Sequence, residues 1–158
     1  MALRPWSPIP IEEGGEPLLP LPPALCRLEP HPYASLGAPY GERACPFRLR
    51  KGVVERLLLA QELLREHRPA WRLAIFDAWR PVAVQRFMVH HALSEACRER
   101  GLDPEGSGPA WEALREEVGC FWAPPSDDPA TPPPHSTGGA VDLTLASDSG
   151  GPLDMGGA

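Results

Sequence analysis

His135 and Asp142 lie seven positions apart and bracket the segment His-Ser-Thr-Gly-Gly-Ala-Val-Asp. An imidazole nitrogen and a carboxylate oxygen both ligate divalent metals, and each must come within about 2 Å of a shared zinc ion. A fully extended chain would hold the two residues roughly 23 Å apart. The chain must therefore reverse between them, and Gly138-Gly139 supply a backbone permissive enough to do so. On spacing alone two readings stay open: a metal-ligating pair, or a glycine turn with a surface histidine. Arg80 is the third residue of interest. It ends an apolar stretch and is followed directly by Pro81. Taken alone it reads as a salt bridge capping a strand end.

The remaining histidines and the cysteines offer less. His90 and His91 are neighbours on a predicted helix, so they do not face one point. His67 stands near Arg65 and Arg68 at a predicted helix end, where it suits the helix dipole. His31 precedes Pro32 in a proline-rich region. None of these four is expected as a metal ligand. Cys26, Cys45, Cys97 and Cys120 are far apart and form no C-x-x-C pair, so buried thiols are expected rather than a tetrathiolate zinc site.

These residues need elements to position them. Leu49, Val53, Leu57, Ala60 and Leu64 recur at three- and four-residue steps, widened by Val54 and Leu58, which predicts an amphipathic helix. Arg68-Pro69 ends it. Trp71 to Arg80 reads as a buried strand. Pro81 suits the first turn of a helix running to about Arg100, with Gly101 as its C′ residue. A further helix is predicted over 109–118, opened by Pro109 and closed by Gly119. Six prolines make 124–134 a loop, and a strand follows near 139–146. In that strand Val141, Leu143 and Leu145 share one face, and Ala140, Asp142 and Thr144 share the other. A carboxylate there should line a site or be buried with a partner.

Residues 1–46 hold 11 of the 22 prolines, which argues against a long helix or a central strand. The expectation is an arm over 1–46, packed through Leu18, Leu19, Leu21, Leu25 and Leu28 on a body over 47–158. The length of 158 residues suits one domain. A net charge of -6 disfavours nucleic acid. No apolar run approaches the ~20 residues of a membrane span, and the proline-broken Met1–Trp6 region lacks an export signal, so a cytoplasmic protein with no membrane partner is expected.

Pro133-Pro-His-Ser-Thr-Gly-Gly-Ala-Val-Asp142 resembles the S-x-H-x-x-G-x-A-x-D signature of zinc D,D-peptidases. Phe76-Asp-Ala-Trp-Arg-Pro81 is similar to the D-x-x-R-P element of the VanX-type D-alanyl-D-alanine dipeptidase branch. Tyr33-Ala-Ser-Leu-Gly-Ala-Pro-Tyr-Gly41 resembles its Y…G…YG stretch, and Asp142-Leu-Thr-Leu145 and Asp154-Met-Gly156 resemble its later part. The resemblance implies an α+β fold, a small antiparallel sheet with flanking helices of the hedgehog/D,D-peptidase kind. It implies one Zn2+ per subunit held by His135 and Asp142, with Arg80 stabilising the oxyanion of the transition state. The implied reaction is hydrolysis of D-alanyl-D-alanine or a related small dipeptide in cell-wall precursor metabolism. The alternatives are a peptidoglycan D,D-carboxypeptidase of the same superfamily and a non-catalytic metal-binding module.

Two departures stand out. Pro133 replaces the serine associated with the substrate carboxylate, and the sequence contains no E-x-x-H element, from which the family takes its general base and third ligand. The expectation is that these 158 residues form the N-terminal part of a longer enzyme and are inactive alone.

Overall fold

The computed structural model describes residues 9–41 and 45–156; the Met1–Trp6 region read for an export signal lies outside them. In chain order the elements are β1 (Leu18–Pro20), β2 (Cys26–Arg27), α1 (Pro32–Ser35), β3 (Arg48–Arg50), α2 (Lys51–His67), β4 (Trp71–Asp77), α3 (Val82–Glu99), α4 (Pro109–Phe121) and β5 (Asp142–Ser147), with a 3-10 turn at Pro134–Thr137 before β5. This is an α+β arrangement of two small sheets with flanking helices. The main sheet runs β2-β4-β5, and β1 pairs with β3 in the second. β4 and β5 are antiparallel, as are β1 and β3, but β2 joins β4 in parallel, Cys26 opposite Ala74 and Arg27 opposite Ile75. The parallel strand comes from the proline-rich arm. It is only two residues long, so its flanking prolines never have to donate to a ladder.

The core follows the alternation of β4. Leu73 and Ile75 meet Leu21, Leu25, Phe47, Leu49, Val54 and Leu57 in one apolar cluster, with Leu19, Val141 and Leu145 at its margin. A second cluster, Ala38, Tyr40, Val84 and Met88, joins the arm to α3. Fully burying side chains of this size is worth about 1.5–3 kcal/mol each.

Several expectations shift at element ends. Leu49 lies in β3, not at the head of a helix, because it pairs with Leu19 across the β1–β3 ladder, a long-range contact that spacing cannot reveal. On α2, Ala60 is exposed and Gln61 is buried. Gln61 donates to the Trp71 carbonyl at 3.2 Å and accepts from the Leu73 amide at 2.7 Å, which docks the helix on β4. Gly119 does not close α4. Glycine permits a stop without forcing one, and the helix runs on to Phe121. The extended Trp122 then leads toward Pro124, which disfavours helical backbone before it. Cys97 is buried and Cys26 and Cys45 are half-buried, but Cys120 is exposed. No helix among the described residues is long and apolar enough to cross a membrane.

Candidate active site

β4 runs as a strand only to Asp77, three residues short of Arg80. Its register against β5 shifts between Ile75 and Asp77, and Asp77 comes opposite Asp142. Beyond it the chain is tied down from both sides. The Trp79 amide donates to Pro46, the Arg80 amide to His135, and the Ser136 hydroxyl to the Arg80 carbonyl at 2.7 Å. The turn carrying His135 is therefore stitched directly to the segment carrying Arg80.

That turn has one glycine requirement. Gly138 takes φ 73°, and a Cβ there would stand 2.3 Å from the Leu18 side chain. Gly138 also gives its carbonyl to the Arg50 amide at 2.9 Å. Gly139 has no positive φ, so the reversal rests on Gly138.

His135 and Asp142 converge. The His135 Nε2 lies 3.5 Å from Asp142 Oδ2. Nδ1 sits 2.8 Å from the Ala78 carbonyl. That contact places the proton on Nδ1 and leaves the Nε2 lone pair toward Asp142, the state a metal ligand needs. Burial disfavours a charged His135, but the Asp142 carboxylate and the Ala78 carbonyl outweigh it, so its pKa is raised. Asp142 opens β5 and is half exposed, while Val141 and Leu145 turn to the core. Leu143, expected beside them, is exposed.

Among the described residues, Asp77, His135 and Asp142 form the one group of three potential ligands, with donor atoms within 4.8 Å of each other. Asp77 nevertheless does not fit the ligand role. Its Oδ2 is held by Arg80 through Nε at 2.9 Å and through Nη2. Its Oδ1 receives His31 at 3.2 Å and the Tyr40 hydroxyl at 3.5 Å. It also approaches His135 at Nδ1, the nitrogen already bound to Ala78. Burial alone would raise the Asp77 pKa, but the His31 hydrogen bond and the Arg80 charge prevail and lower it. The donor chemistry thus suits a divalent metal ion at His135 and Asp142, and Asp77 serves the arginine.

Arg80 is 5% exposed. Tyr33 and Trp122 lie over the guanidinium with ring centres 5.0 Å and 5.2 Å away. Nη1 donates to Gln85 at 2.7 Å. A guanidinium has five N–H donors. Asp77 and Gln85 engage three, which leaves two that make no hydrogen bond among the described residues. Nη2 lies 3.9 Å from Asp142 Oδ2. Arg80, His135, Asp142, Tyr33, Gln85 and Trp122 all line one cleft of about 330 Å³.

The other histidines stay apart from this cleft as ligands. His90 pairs with Glu105, and His91 stacks on Phe87. His67 ends α2. His31 is the exception in position, because it is buried against Asp77 at Oδ1, the oxygen that Arg80 does not take. Sequence reasoning gave Asp77, Gln85 and His31 no function in the site. A signal existed for Asp77, which shares the inward face of β4 with Leu73 and Ile75 and so demanded a partner.

The sequence model of the D-ala-D-ala dipeptidase family, a group of M15 peptidases, matches residues 27–158. A D-alanyl-D-alanine dipeptidase from Synechocystis sp. is 46% identical over 157 residues, covering 98% of this chain and 63% of its own length. The chain thus spans less than two thirds of the curated relative it matches. No solved structure matches the chain.

Proposed function

We infer the function from a premise of kinship: this chain belongs to the D-ala-D-ala dipeptidase family. We propose that the protein hydrolyses D-alanyl-D-alanine or a closely related small dipeptide, in cell-wall precursor metabolism and in the cytoplasm. The arm over 1–46 and the body over 47–158 act as one catalytic unit in this reading. The observation that carries it is the convergence of the His135 Nε2 and the Asp142 carboxylate beside a buried arginine with two uncommitted N–H donors.

His135 and Asp142 would hold one zinc ion. When bound, zinc supplies Lewis acidity for the carbonyl under attack. Ala78 fixes the tautomer of His135, and its raised pKa means that protons compete with metal at acid pH. Arg80 points its two remaining donors at the negative charge that develops on the carbonyl oxygen, held in place before the reaction begins. Tyr33 and Trp122 keep water from the faces of the guanidinium. The cleft of about 330 Å³ falls within the roughly 300–1,000 Å³ typical of ligand sites and has room for a small dipeptide.

Catalytic zinc usually has three protein ligands, and two match here. We therefore propose that these 158 residues alone show no appreciable turnover, and that a segment carrying a glutamate and a histidine completes the site. The test follows D-Ala release from D-Ala-D-Ala, with added zinc and with a chelator, by these residues alone and joined to such a segment. Zinc-dependent release by the joined form alone supports the reading. Robust release by the 158 residues alone, abolished in His135→Ala, would place the missing ligand within them. Faster cleavage of long peptides ending in D-Ala-D-Ala would mark a carboxypeptidase. Zinc binding without hydrolysis in either form would mark a non-catalytic module.

A further inference from the structure

Gln85 is a fully buried amide, 1% exposed, in the first turns of α3. Helical side chains lean back toward the helix N-terminus, so Gln85 reaches over Pro81 to the arginine before it. Its Oε1 accepts from Arg80 Nη1 at 2.7 Å, and its Nε2 donates to the Ala123 carbonyl at 2.6 Å. Only one orientation of the amide works. Flipped, its NH2 would oppose the guanidinium donors and its oxygen would oppose a carbonyl.

Both partners line the cleft. Arg80 carries the charge proposed to meet the oxyanion. Ala123 follows Trp122, whose ring covers the guanidinium. We propose that Gln85 is a positioning residue with two separable duties: its carbonyl sets the rotation of the Arg80 fork, and its NH2 holds the Trp122–Ala123 wall against it. This deepens the reading of Arg80 given above and rests on it. The physical case is that Asp77 binds one edge of the guanidinium through Nε and Nη2, and Gln85 then takes a donor of Nη1. Held at Nε, Nη2 and Nη1, the fork cannot swing without breaking a buried hydrogen bond, and one N–H on each Nη stays available. A small misplacement of a group that must meet a transition state costs up to about 10²-fold in rate.

Two variants separate the duties. Gln85→Met keeps the volume and loses both hydrogen bonds. Gln85→Glu keeps the acceptor for Arg80 and loses the donor for Ala123. The first readout needs no turnover: NMR of the 15N-arginine-labelled chain, with the Arg80 signals assigned by their loss in Arg80→Lys. Wild type and Gln85→Glu should show separate, slowly exchanging Nη1 and Nη2 signals, and Gln85→Met should lose the Nη1 signal. The second readout is steady-state hydrolysis of D-Ala-D-Ala by the form that turns it over. Gln85→Met should lower kcat roughly 10- to 100-fold, and Gln85→Glu should mainly raise KM. A side chain that only filled space would leave Gln85→Met like wild type in both readouts, and that result overturns the proposal. Should Gln85→Met fail to fold, a Gln85→Glu variant that loses the Nη1 signal or keeps a wild-type KM overturns it instead. If wild type hydrolyses nothing, the function assigned above fails, and the NMR signals still decide whether Gln85 holds Arg80.

Discussion

Two histidines flank Asp77, and their rings are used differently. His31, from the arm, accepts the Ala34 amide on Nδ1 at 3.3 Å and contacts Asp77 through Nε2 at 3.2 Å. The edges of Tyr33, Tyr40 and Phe47 enclose it. Both nitrogens are satisfied and the ring is 5% exposed. His135, from the turn before β5, anchors Nδ1 on Ala78 and keeps Nε2 for the cleft and Asp142. The same side chain braces a buried carboxylate on one side and offers a lone pair on the other. Its role follows from which nitrogen the backbone has already claimed.

The largest effect should come from the open histidine. His135→Ala should weaken zinc binding by more than the roughly 10–100-fold seen on losing an outer-shell partner, read by calorimetric zinc titration. An unchanged affinity would break the contrast at once. Arg80→Ala comes next. In the form that turns over substrate it should lower kcat by roughly 10²-fold or more, with KM little changed. A kcat near wild type would remove Arg80 from the chemistry. The closed histidine should behave oppositely. His31→Phe keeps a ring among Tyr33, Tyr40 and Phe47 but withdraws a hydrogen bond from Asp77. It should cost about 1–3 kcal/mol in urea unfolding and leave zinc affinity unchanged. A loss of zinc affinity matching that of His135→Ala would make the two histidines equivalent.

The sequence shows the parts of this site that are local. The reversal between His135 and Asp142 is legible in eight residues, and the Arg80-Pro81 break and α3 follow from proline chemistry. What escapes is the closure between distant segments. Leu49 has helical spacing to Val53, and only its pairing with Leu19 makes it a strand residue. His31 is 46 residues from Asp77 and looks like a loop residue beside a proline. Gln85 looks like an ordinary polar helix position, although its neighbours Val84 and Met88 are buried and a buried amide needs partners. Glycine misled in both directions: Gly119 passes through a helix, and of Gly138-Gly139 only the first needs its freedom.

The smallest effect concerns acid, and it tests whether His31 acts through Asp77. The Asp77 pKa is lowered because, against the cost of burial, His31 and Arg80 favour the carboxylate. A carboxyl with a lower pKa folded than unfolded binds fewer protons in the folded state, so it adds stability as pH rises. Its contribution is fully present above the ordinary aspartate value of about 3.9 and is lost as pH falls through the depressed folded value. Urea unfolding midpoints for wild type should therefore decline below that ordinary value. His31→Phe removes one of the groups that depress the pKa, so the folded value rises toward the ordinary one and the window narrows from its acid side. His31→Gln, whose amide can donate to Asp77, should keep the wild-type profile. Wild type and His31→Phe with the same acid slope would mean that His31 packs beside Asp77 without holding its charge. The contrast between the two histidines would then be one of burial alone.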